Sequence, residues 1–246
     1  MAQAFESSEI RAILLDIEGT TTPIDFVFKT LFPFASKHAE DFLRHHFREA
    51  DIAALLDQLY RTRERDVAAA WVRGTDEQNL AGAAAYIRWL IAQDSKITPL
   101  KELQGKIWEE GFRRGELKGE VYPDVAPAFA RWAAQRRRIA IFSSGSVLAQ
   151  KLLFANSTAG DLSAFLAGYF DTTSGPKRES ASYKRIADAM GPDAREWLFI
   201  SDVVEELDAA RAAGMETALS LRPGLAGPGI AVHPEIHGFS EVFADS

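Results

Sequence analysis

Residues Arg11–Thr22 read R-A-I-L-L-D-I-E-G-T-T-T, an apolar run that passes directly into two acids, a glycine and three threonines. The apolar run, Ala12–Leu15, is unbroken, which is typical of a strand buried on both faces of a parallel sheet. The run ends at Asp16, and a second acid, Glu18, stands just before Gly19. A buried strand that passes into a glycine turn presents its terminal carboxylate at the sheet edge where ligands bind. An acid that caps a turn fits the same residues, so this stretch alone leaves both interpretations open.

The composition excludes several classes of protein. The chain has 246 residues and a net charge of −7, which argues against a broad nucleic-acid-binding surface but allows a local site for an anionic small molecule. It has no cysteine, so disulfides, cysteine nucleophiles and thiolate metal sites are excluded together. The first residues are acidic, and no uncharged run approaches the ~20 apolar residues of a membrane span. We therefore expect a cytoplasmic protein that binds neither membranes nor nucleic acid. As a separate expectation, we take the protein to be a monomer.

The chain changes character twice. From about Asp25 to Gly119 the apolar residues recur with helical spacing, and no convincing strand is found. Beyond this block, short apolar runs alternate with helical segments, which predicts a parallel doubly wound sheet. We therefore predict an α/β fold, with a Rossmann-like doubly wound parallel sheet core formed by residues 1–22 and 122–246. An all-helical cap domain, residues 23–121, is inserted after the first strand and is expected to act as a lid.

The predicted strands are short apolar runs bounded by turn residues. They are Arg11–Asp16, Arg138–Phe142, Tyr169–Thr172, Trp197–Ile200 and Thr217–Leu221, with an edge strand near Phe239–Phe243. Within the cap, Pro33 is expected to kink or break a helix, and a helix that begins at Thr98-Pro99 is expected to stop at Gly111.

Three later strand ends also carry polar residues. The second strand runs into Ser143 and Ser144, which offer hydroxyls and backbone N–H groups to an anion. A Gly-Pro turn then precedes Lys177, whose charge suits a phosphate oxygen, and a further strand ends at Asp202, a ligand type that suits Mg²⁺. Each signal alone fits a helix cap or a surface loop. Together with Asp16, and brought to one edge by parallel strands, they predict a phosphoryl-transfer site.

The order of these motifs resembles the haloacid dehalogenase superfamily of phosphatases. Its four motifs match Asp16–Thr20, Ser144, Lys177 and Asp202. The superfamily usually has Asp-x-Asp in its first motif, whereas this chain has Asp-Ile-Glu. Four motifs together resemble those of the enolase-phosphatases of methionine salvage. They are D-I-E-G-T-T, S-S-G-S, K-x-E-S-x-S-Y and S-D-V-V-x-E-L. The likeness runs from about Ile13 to Phe243 and includes P-I-D-F-V and Y-P-D-V at the two ends of the cap.

The resemblance implies two reactions on 2,3-diketo-5-methylthiopentyl-1-phosphate, enolisation and then dephosphorylation to the acireductone. Asp16 would attack phosphorus and form an aspartyl-phosphate. Glu18 stands where the superfamily has its acid/base aspartate and would protonate the leaving oxygen and activate water. Because its side chain is longer by one methylene, we also expect Glu18 to take part in the proton transfer of enolisation.

The resemblance also implies one Mg²⁺ per subunit, held by Asp16, the backbone carbonyl of Glu18, and Asp202. The ion would offset the repulsion between carboxylate and phosphate. The remaining roles are phosphoryl binding by Ser144 and Lys177, with Ser143 beside them, and support of the water around the metal by Glu206.

Other interpretations are weighed on the same residues. A simple Mg²⁺-dependent phosphate monoesterase without enolase activity is the nearest alternative, and a metal-free dehalogenase would share the nucleophilic aspartate. A catalytically silent scaffold that binds proteins through its cap is disfavoured, because all four polar strand ends are retained.

Two groups of residues remain outside the predicted chemistry. The five histidines, which include His45, His46, His233 and His237, are interpreted as surface or structural residues. Phe26, Phe28 and Trp71 are candidates for an apolar pocket around the methylthio group, although an ordinary place in the core of the bundle fits each of them better.

Overall fold

The computed structural model describes residues 9–62, 71, 74–224 and 232–244. Contacts divide the chain into two compact units, one formed by residues 1–24 and 118–246 and the other by Asp25–Leu117. The second unit lies inside the predicted insertion, residues 23–121. That the two units serve as a catalytic core and a cap stays a prediction.

The first unit is built on a six-stranded sheet with the strand order β3-β2-β1-β4-β5-β6 among the described residues. All neighbouring strands are parallel, which confirms the predicted doubly wound fold. The strands are β1 Ala12–Leu15, β2 Arg138–Phe142, β3 Leu166–Phe170, β4 Trp197–Ser201, β5 Glu216–Ser220 and β6 Glu235–Ile236. The order reverses on either side of β1, so the crevice between β1 and β4 is the topological switch point at which such sheets bind ligands.

The apolar run of the first strand has the position that its sequence predicts. All four residues of β1 are fully buried, and the strand pairs with β2 on one side and β4 on the other. Leu14 lies in register with Ala140 and with Phe199. A strand in the middle of a parallel sheet has apolar layers on both faces, which explains why its sequence is continuous rather than alternating.

Two predicted strands are misplaced. The third strand is Leu166–Phe170 rather than Tyr169–Thr172, because the side chain of Asp171 accepts the N–H of Thr173 at 2.8 Å and starts a turn. No strand forms at Phe239–Phe243, and residues 239–241 form a 3₁₀ turn instead. The N–H of Phe239 donates to a carboxylate rather than to a neighbouring strand, and its ring packs at 5.2 Å from Trp132.

Helices follow the strands and cover the sheet. They are α6 Val125–Ala134, α7 Val147–Ala155, α8 Ser180–Met190 and α9 Val204–Ala212. Trp197 and Phe199 of β4 are fully buried in a cluster with Tyr183 of α8 and Leu207 of α9. Each crossover helix therefore buries an apolar face against the parallel strands that it connects.

The second unit is helical throughout its described residues. After the short α1 (Ile24–Phe26) and a π-helical turn (Val27–Leu31), its helices are α2 Phe32–His46, α3 Ala50–Thr62, α4 Asp76–Ala92 and α5 Thr98–Arg113. Pro33 stands in the first turn of α2, and the chain is helical without a break from Ile24 to His46, so Pro33 does not break the helix. A π-helical turn directly before the proline is the irregularity that the helix shows at this point.

The predicted helix stop at Gly111 is wrong, because α5 continues to Arg113. A Cβ at Gly111 would lie 2.5 Å from the ring of Phe34, so this glycine permits close packing inside the helical unit rather than ending a helix.

Across the described part of the chain, no helix combines the length and the apolar composition needed to cross a lipid bilayer.

Candidate active site

The switch point of the sheet carries two acids. Asp16 follows the last residue of β1, and Asp202 follows the last residue of β4. Leu15 lies in register with Ile200, so the segments that follow β1 and β4 leave the sheet at the same edge. The prediction that parallel strands bring these two acidic motifs to one edge is confirmed.

Asp16 is buried and is held by three donors. Only 3% of its surface is exposed. Its Oδ1 atom accepts the N–H of Ile17 at 2.8 Å and lies 2.7 Å from the ammonium group of Lys177. Its Oδ2 atom accepts the hydroxyl of Ser201 at 3.2 Å. The carboxylate is therefore fixed in orientation beside the ammonium of Lys177.

Lys177 joins two carboxylates. Its ammonium lies 2.7 Å from Asp16 and 2.6 Å from Glu206. Burial by itself lowers the pKa of Lys177, but the two carboxylates outweigh this effect and hold the pKa above its usual range. The backbone carbonyl of Lys177 accepts the hydroxyl of Tyr183 at 2.7 Å, so the first turn of α8 fixes the loop that carries the lysine.

Glu206 lies in the first turns of α9 and is itself buried. Burial, followed by the charge of Asp16, raises its pKa above the usual range, whereas the ion pair with Lys177 acts in the opposite direction. Its contacts are with the lysine and with Ser201 rather than with Asp202. That Glu206 supports the water around the metal stays a prediction.

Asp202 lies against the glycine of the first motif. A Cβ placed on Gly19 would come within 2.3 Å of its Oδ2 atom, so only glycine leaves room for this carboxylate. Burial raises the pKa of Asp202 to about 7, with further contributions from the negative charges of Asp16 and Glu18. The two acidic motifs therefore repel one another at close range, which is the condition that a bound cation relieves.

Glu18 is half-buried in a tight turn. The carbonyl of Ile17 accepts the N–H groups of three successive threonines, Thr20, Thr21 and Thr22, at 2.9–3.2 Å. Gly19 begins this turn with a φ of +68°, in the left-handed region. The backbone around Glu18 is thus rigid, and its side chain lies within electrostatic reach of Asp202.

The serine motif forms a separate loop after β2. Ser143 is buried and its Oγ atom accepts the N–H of Gly145 at 3.1 Å, whereas Ser144 is exposed. The side chain of Gln150 donates to the carbonyl of Gly145 at 2.9 Å and so braces the loop. The hydrogen bonds described here hold the loop itself and do not join it to the carboxylates of the first motif.

Ser201 has a role that the sequence analysis did not assign. Its hydroxyl lies 3.2 Å from Asp16 Oδ2 and 3.2 Å from Glu206 Oε2, and it accepts the N–H of Val203. Because a hydroxyl has one proton, it donates a hydrogen bond to one of the two carboxylates at a time and lies between them. A polar residue as the last position of an otherwise apolar buried strand is the signal that could have identified it.

The donor set at this edge suits Mg²⁺. Among the described residues, no three histidine, cysteine or acidic side chains converge as a metal cage. A metal here would therefore rely on the carboxylates of Asp16 and Asp202, a backbone carbonyl and water, which are the hard oxygen ligands that Mg²⁺ prefers. The electrostatic repulsion on Asp202 fits a cation at this position.

The histidines and aromatic residues set aside above have structural contacts. His233 is buried and lies 2.8 Å from Thr217 Oγ1 and 3.2 Å from Asp208 Oδ1. Phe26 and Trp71 are buried, as the core interpretation expects, and Trp71 packs on aromatic rings of the helical unit. The core interpretation of Phe28 is wrong, because this side chain is 50% exposed. A role of these aromatic residues in binding the methylthio group stays a prediction.

Comparison with known proteins agrees with this geometry. The family of haloacid dehalogenase-like hydrolases matches residues 10–214. Enolase-phosphatase E1 of Synechococcus elongatus is 52% identical over 95% of this chain and 98% of its own length. The protein of the same name from Pseudomonas syringae pv. tomato is 50% identical, over 94% of this chain and 96% of its own.

Solved structures give the same result. The UTR4 protein of Saccharomyces cerevisiae has a TM-score of 0.74 and 35% identity, covering 94% of this chain and 98% of its own. CbbY from Rhodobacter sphaeroides, solved in complex with phosphate, shares the fold with a TM-score of 0.57 at 17% identity, covering 94% of this chain and 96% of its own. The chain belongs to the enolase-phosphatase E1 family of haloacid dehalogenase-like hydrolases.

Proposed function

We propose that this chain is a Mg²⁺-dependent enolase-phosphatase of methionine salvage. It converts 2,3-diketo-5-methylthiopentyl-1-phosphate to the acireductone 1,2-dihydroxy-3-keto-5-methylthiopentene and phosphate. The observation that carries the proposal is the buried Asp16–Lys177 pair at the switch point, in a chain about half identical to enolase-phosphatases over nearly its full length. We place the reaction in the cytoplasm, in a monomer, with the phosphorylated diketone as the partner molecule.

Asp16 is the nucleophile of the phosphatase step. Its carboxylate attacks phosphorus and forms an aspartyl-phosphate, which water then hydrolyses. The N–H of Ile17, the ammonium of Lys177 and the hydroxyl of Ser201 hold the carboxylate so that little reorganisation precedes attack. Lys177 also neutralises charge on the phosphoryl oxygens.

The serine loop binds the phosphoryl group. The Oγ atom of Ser143 accepts the N–H of Gly145, which leaves its own hydroxyl proton to be donated to a phosphoryl oxygen. Ser144 is exposed after the end of β2 and supplies a second hydroxyl. Neither group carries a charge, so they orient the phosphate without changing the balance of charge at the site.

Glu18 moves protons in both reactions. In the phosphatase step it protonates the leaving oxygen and then takes a proton from the attacking water. In the enolisation step it takes part in the transfer of the acidic C–H proton. Its half-buried position in a hydrogen-bonded turn, within electrostatic reach of Asp202, supports this role.

Asp16, Asp202 and the backbone carbonyl of Glu18 would hold the Mg²⁺ ion. When bound, the ion supplies positive charge that offsets the repulsion between the carboxylates and the incoming phosphate. Glu206 keeps Lys177 charged and in place, so the lysine and the ion share the task of neutralisation.

The test supplies the diketo phosphate and follows the ultraviolet absorbance of the enol and free phosphate together. We expect the enol signal to precede phosphate release, and EDTA to abolish phosphate release. Asp16→Asn should bind substrate but release no phosphate. Phosphate release without any enol intermediate would reduce the activity to that of a simple phosphate monoesterase, and retained turnover by Asp16→Asn would exclude Asp16 as the nucleophile.

A further inference from the structure

A second buried cation, Arg222, lies beside the loop that follows Asp16, and the proposed function gives it no role. Arg222 is 3% exposed, and its Nη1 atom lies 2.6 Å from Asp124 Oδ2. Its guanidinium stands 4.4 Å from the ring centre of Tyr122 and 4.3 Å from that of Phe239. Tyr122 and Asp124 belong to the motif Y-P-D-V, to which the reaction assigns no function.

Arg222 reaches the backbone of the first motif. Its Nε atom donates to the carbonyl of Thr20 at 2.9 Å. Ser220, two residues earlier and at the end of β5, donates its hydroxyl to the carbonyl of Gly19 at 3.1 Å. Two successive carbonyls of the loop are therefore held by two side chains at and just after the end of β5, and all four residues are buried.

The held carbonyls lie at the sensitive point of the proposed site. The peptide of Gly19 follows Glu18, whose carbonyl we assign to the cation, and the Cα of Gly19 faces the carboxylate of Asp202. A rotation of the Gly19–Thr20 peptide would disturb the adjoining Glu18 peptide and the close approach of Gly19 to Asp202. Hydrogen bonds to both carbonyls oppose that rotation, since each would have to break in a buried environment.

A purely structural role does not explain a buried arginine here. Placing an ion pair in a protein interior carries a desolvation penalty, and well-packed apolar side chains often stabilise a fold equally well. What apolar side chains cannot supply is a donor with fixed direction toward a backbone carbonyl. Two aromatic faces and a carboxylate orient the guanidinium, and so leave its Nε–H directed at the loop.

We propose that Arg222 and Ser220 are positioning residues, which fix the Gly19–Thr20 backbone and thereby set the geometry of the divalent-cation site and of Glu18. This inference rests on the function proposed above. Neither residue touches the reacting atoms, and their effect reaches the site through the loop.

The test measures Mg²⁺ affinity by isothermal titration calorimetry together with kcat and KM on the diketo phosphate. In Ser220→Ala we expect Mg²⁺ to bind about threefold to tenfold more weakly, by the loss of one hydrogen bond to the loop. We expect kcat to fall by a similar factor, with KM changed by less than about twofold. Ser220→Thr, which keeps the hydroxyl, should restore both values.

Ser157→Ala is the matched control. Ser157 is also buried and donates its hydroxyl to a backbone carbonyl, that of Gly160, in a loop that holds none of the site residues. We expect this variant to lose thermal stability comparably while Mg²⁺ affinity and kcat stay at the wild-type values. Equal losses of affinity in Ser157→Ala and Ser220→Ala would overturn the proposal, because they would reflect general destabilisation.

Arg222→Lys tests the second donor without removing the charge that pairs with Asp124. A lysine keeps a cation but lacks the planar fork, so we expect a folded protein with weaker Mg²⁺ binding and lower kcat. Wild-type affinity and kcat in both Ser220→Ala and Arg222→Lys would refute the positioning role. If the wild-type protein failed to turn over the diketo phosphate, the proposed function would fall, while the Mg²⁺ titrations would still decide whether these residues shape the site.

Discussion

Replacing Gly19 by alanine adds one methyl group at the point where the two acidic motifs meet. The new Cβ would lie 2.3 Å from Asp202 Oδ2 and 2.6 Å from its Cγ. Real Cβ contacts do not fall below 3.0 Å, so the carboxylate has to retreat by at least about 0.7 Å, the difference between 3.0 and 2.3 Å. The loop cannot retreat instead, because its carbonyls and N–H groups are hydrogen-bonded on both sides.

Two effects of this substitution have different sizes. The left-handed φ of +68° costs an alanine about 1–2 kcal/mol relative to glycine, which lowers the melting temperature by a few degrees. The displacement of a carboxylate by nearly 1 Å acts on the reaction itself, where a misplacement of that size lowers rates on the order of 10²-fold. We therefore expect Gly19→Ala to remain folded but to lose most of its activity and Mg²⁺ affinity.

The chain offers a matched control for the backbone effect. Gly115 has a φ of +72°, and a Cβ built on it would meet no atom within 4 Å. Gly115→Ala should therefore show the same loss in melting temperature with wild-type kcat and wild-type Mg²⁺ affinity. Calorimetric unfolding, Mg²⁺ titration and the phosphate-release assay on both variants separate the two effects. Equal activity of the two alanine variants would refute the contact argument.

Three further predictions follow from the charges. Lys177→Met leaves two buried carboxylates without their cation, so we expect a loss of stability of about 3–5 kcal/mol in a melting experiment, partly reversed by added Mg²⁺; unchanged melting would contradict the ion-pair account. Glu18→Gln should slow the rise in enol absorbance as well as phosphate release, and a normal enolisation rate would remove Glu18 from that step. His46 lies 2.6 Å from Glu49 and 3.2 Å from Glu110, and these partners raise its pKa. Its extra stability is thus complete below its unfolded pKa of about 6.5 and is lost as pH rises through the folded value, so the melting-temperature gap between wild type and His46→Gln should be larger at pH 6 than at pH 9.

The sequence was sufficient to predict that Asp16 and Asp202 lie at one edge of the sheet. The prediction combines a local pattern, an apolar run that ends in an acid, with a general property of parallel sheets. The continuous apolar run before Asp16 indicates a strand covered on both faces, and the run before Asp202 repeats that pattern. Parallel pairing of the two strands then requires that the segments following them leave the sheet on the same side. The misplaced strand at residues 169–172 shows the limit of this argument, because a single side chain, that of Asp171, ended the ladder one residue after β3.

The network around Lys177 could not be predicted in the same way. Its contacts with Asp16 and Glu206 join residues far apart in the chain, and their distances depend on how α9 packs against β4. Ser201 and Arg222 were missed for a related reason: each acts through a hydrogen bond to a distant carboxylate or carbonyl, and no local pattern marks such a bond. The sequence thus identifies the residues of a motif, but it does not identify the distant residues that contact them.

The balance of charge explains why the proposed site would combine a lysine with a divalent cation. Four carboxylates lie at this edge of the sheet. The ammonium of Lys177 forms ion pairs with two of these carboxylates, those of Asp16 and Glu206. The carboxylate of Asp202 lies within electrostatic reach of Asp16, Glu18 and the same ammonium. Burial and repulsion by Asp16 and Glu18 raise the pKa of Asp202 to about 7. A phosphate monoester adds further negative charge, so a second lysine in place of the metal would still leave the site strongly anionic. A divalent ion between the two strand ends supplies twice that charge at one point, and the glycine at position 19 is what leaves room for the carboxylate that would hold it.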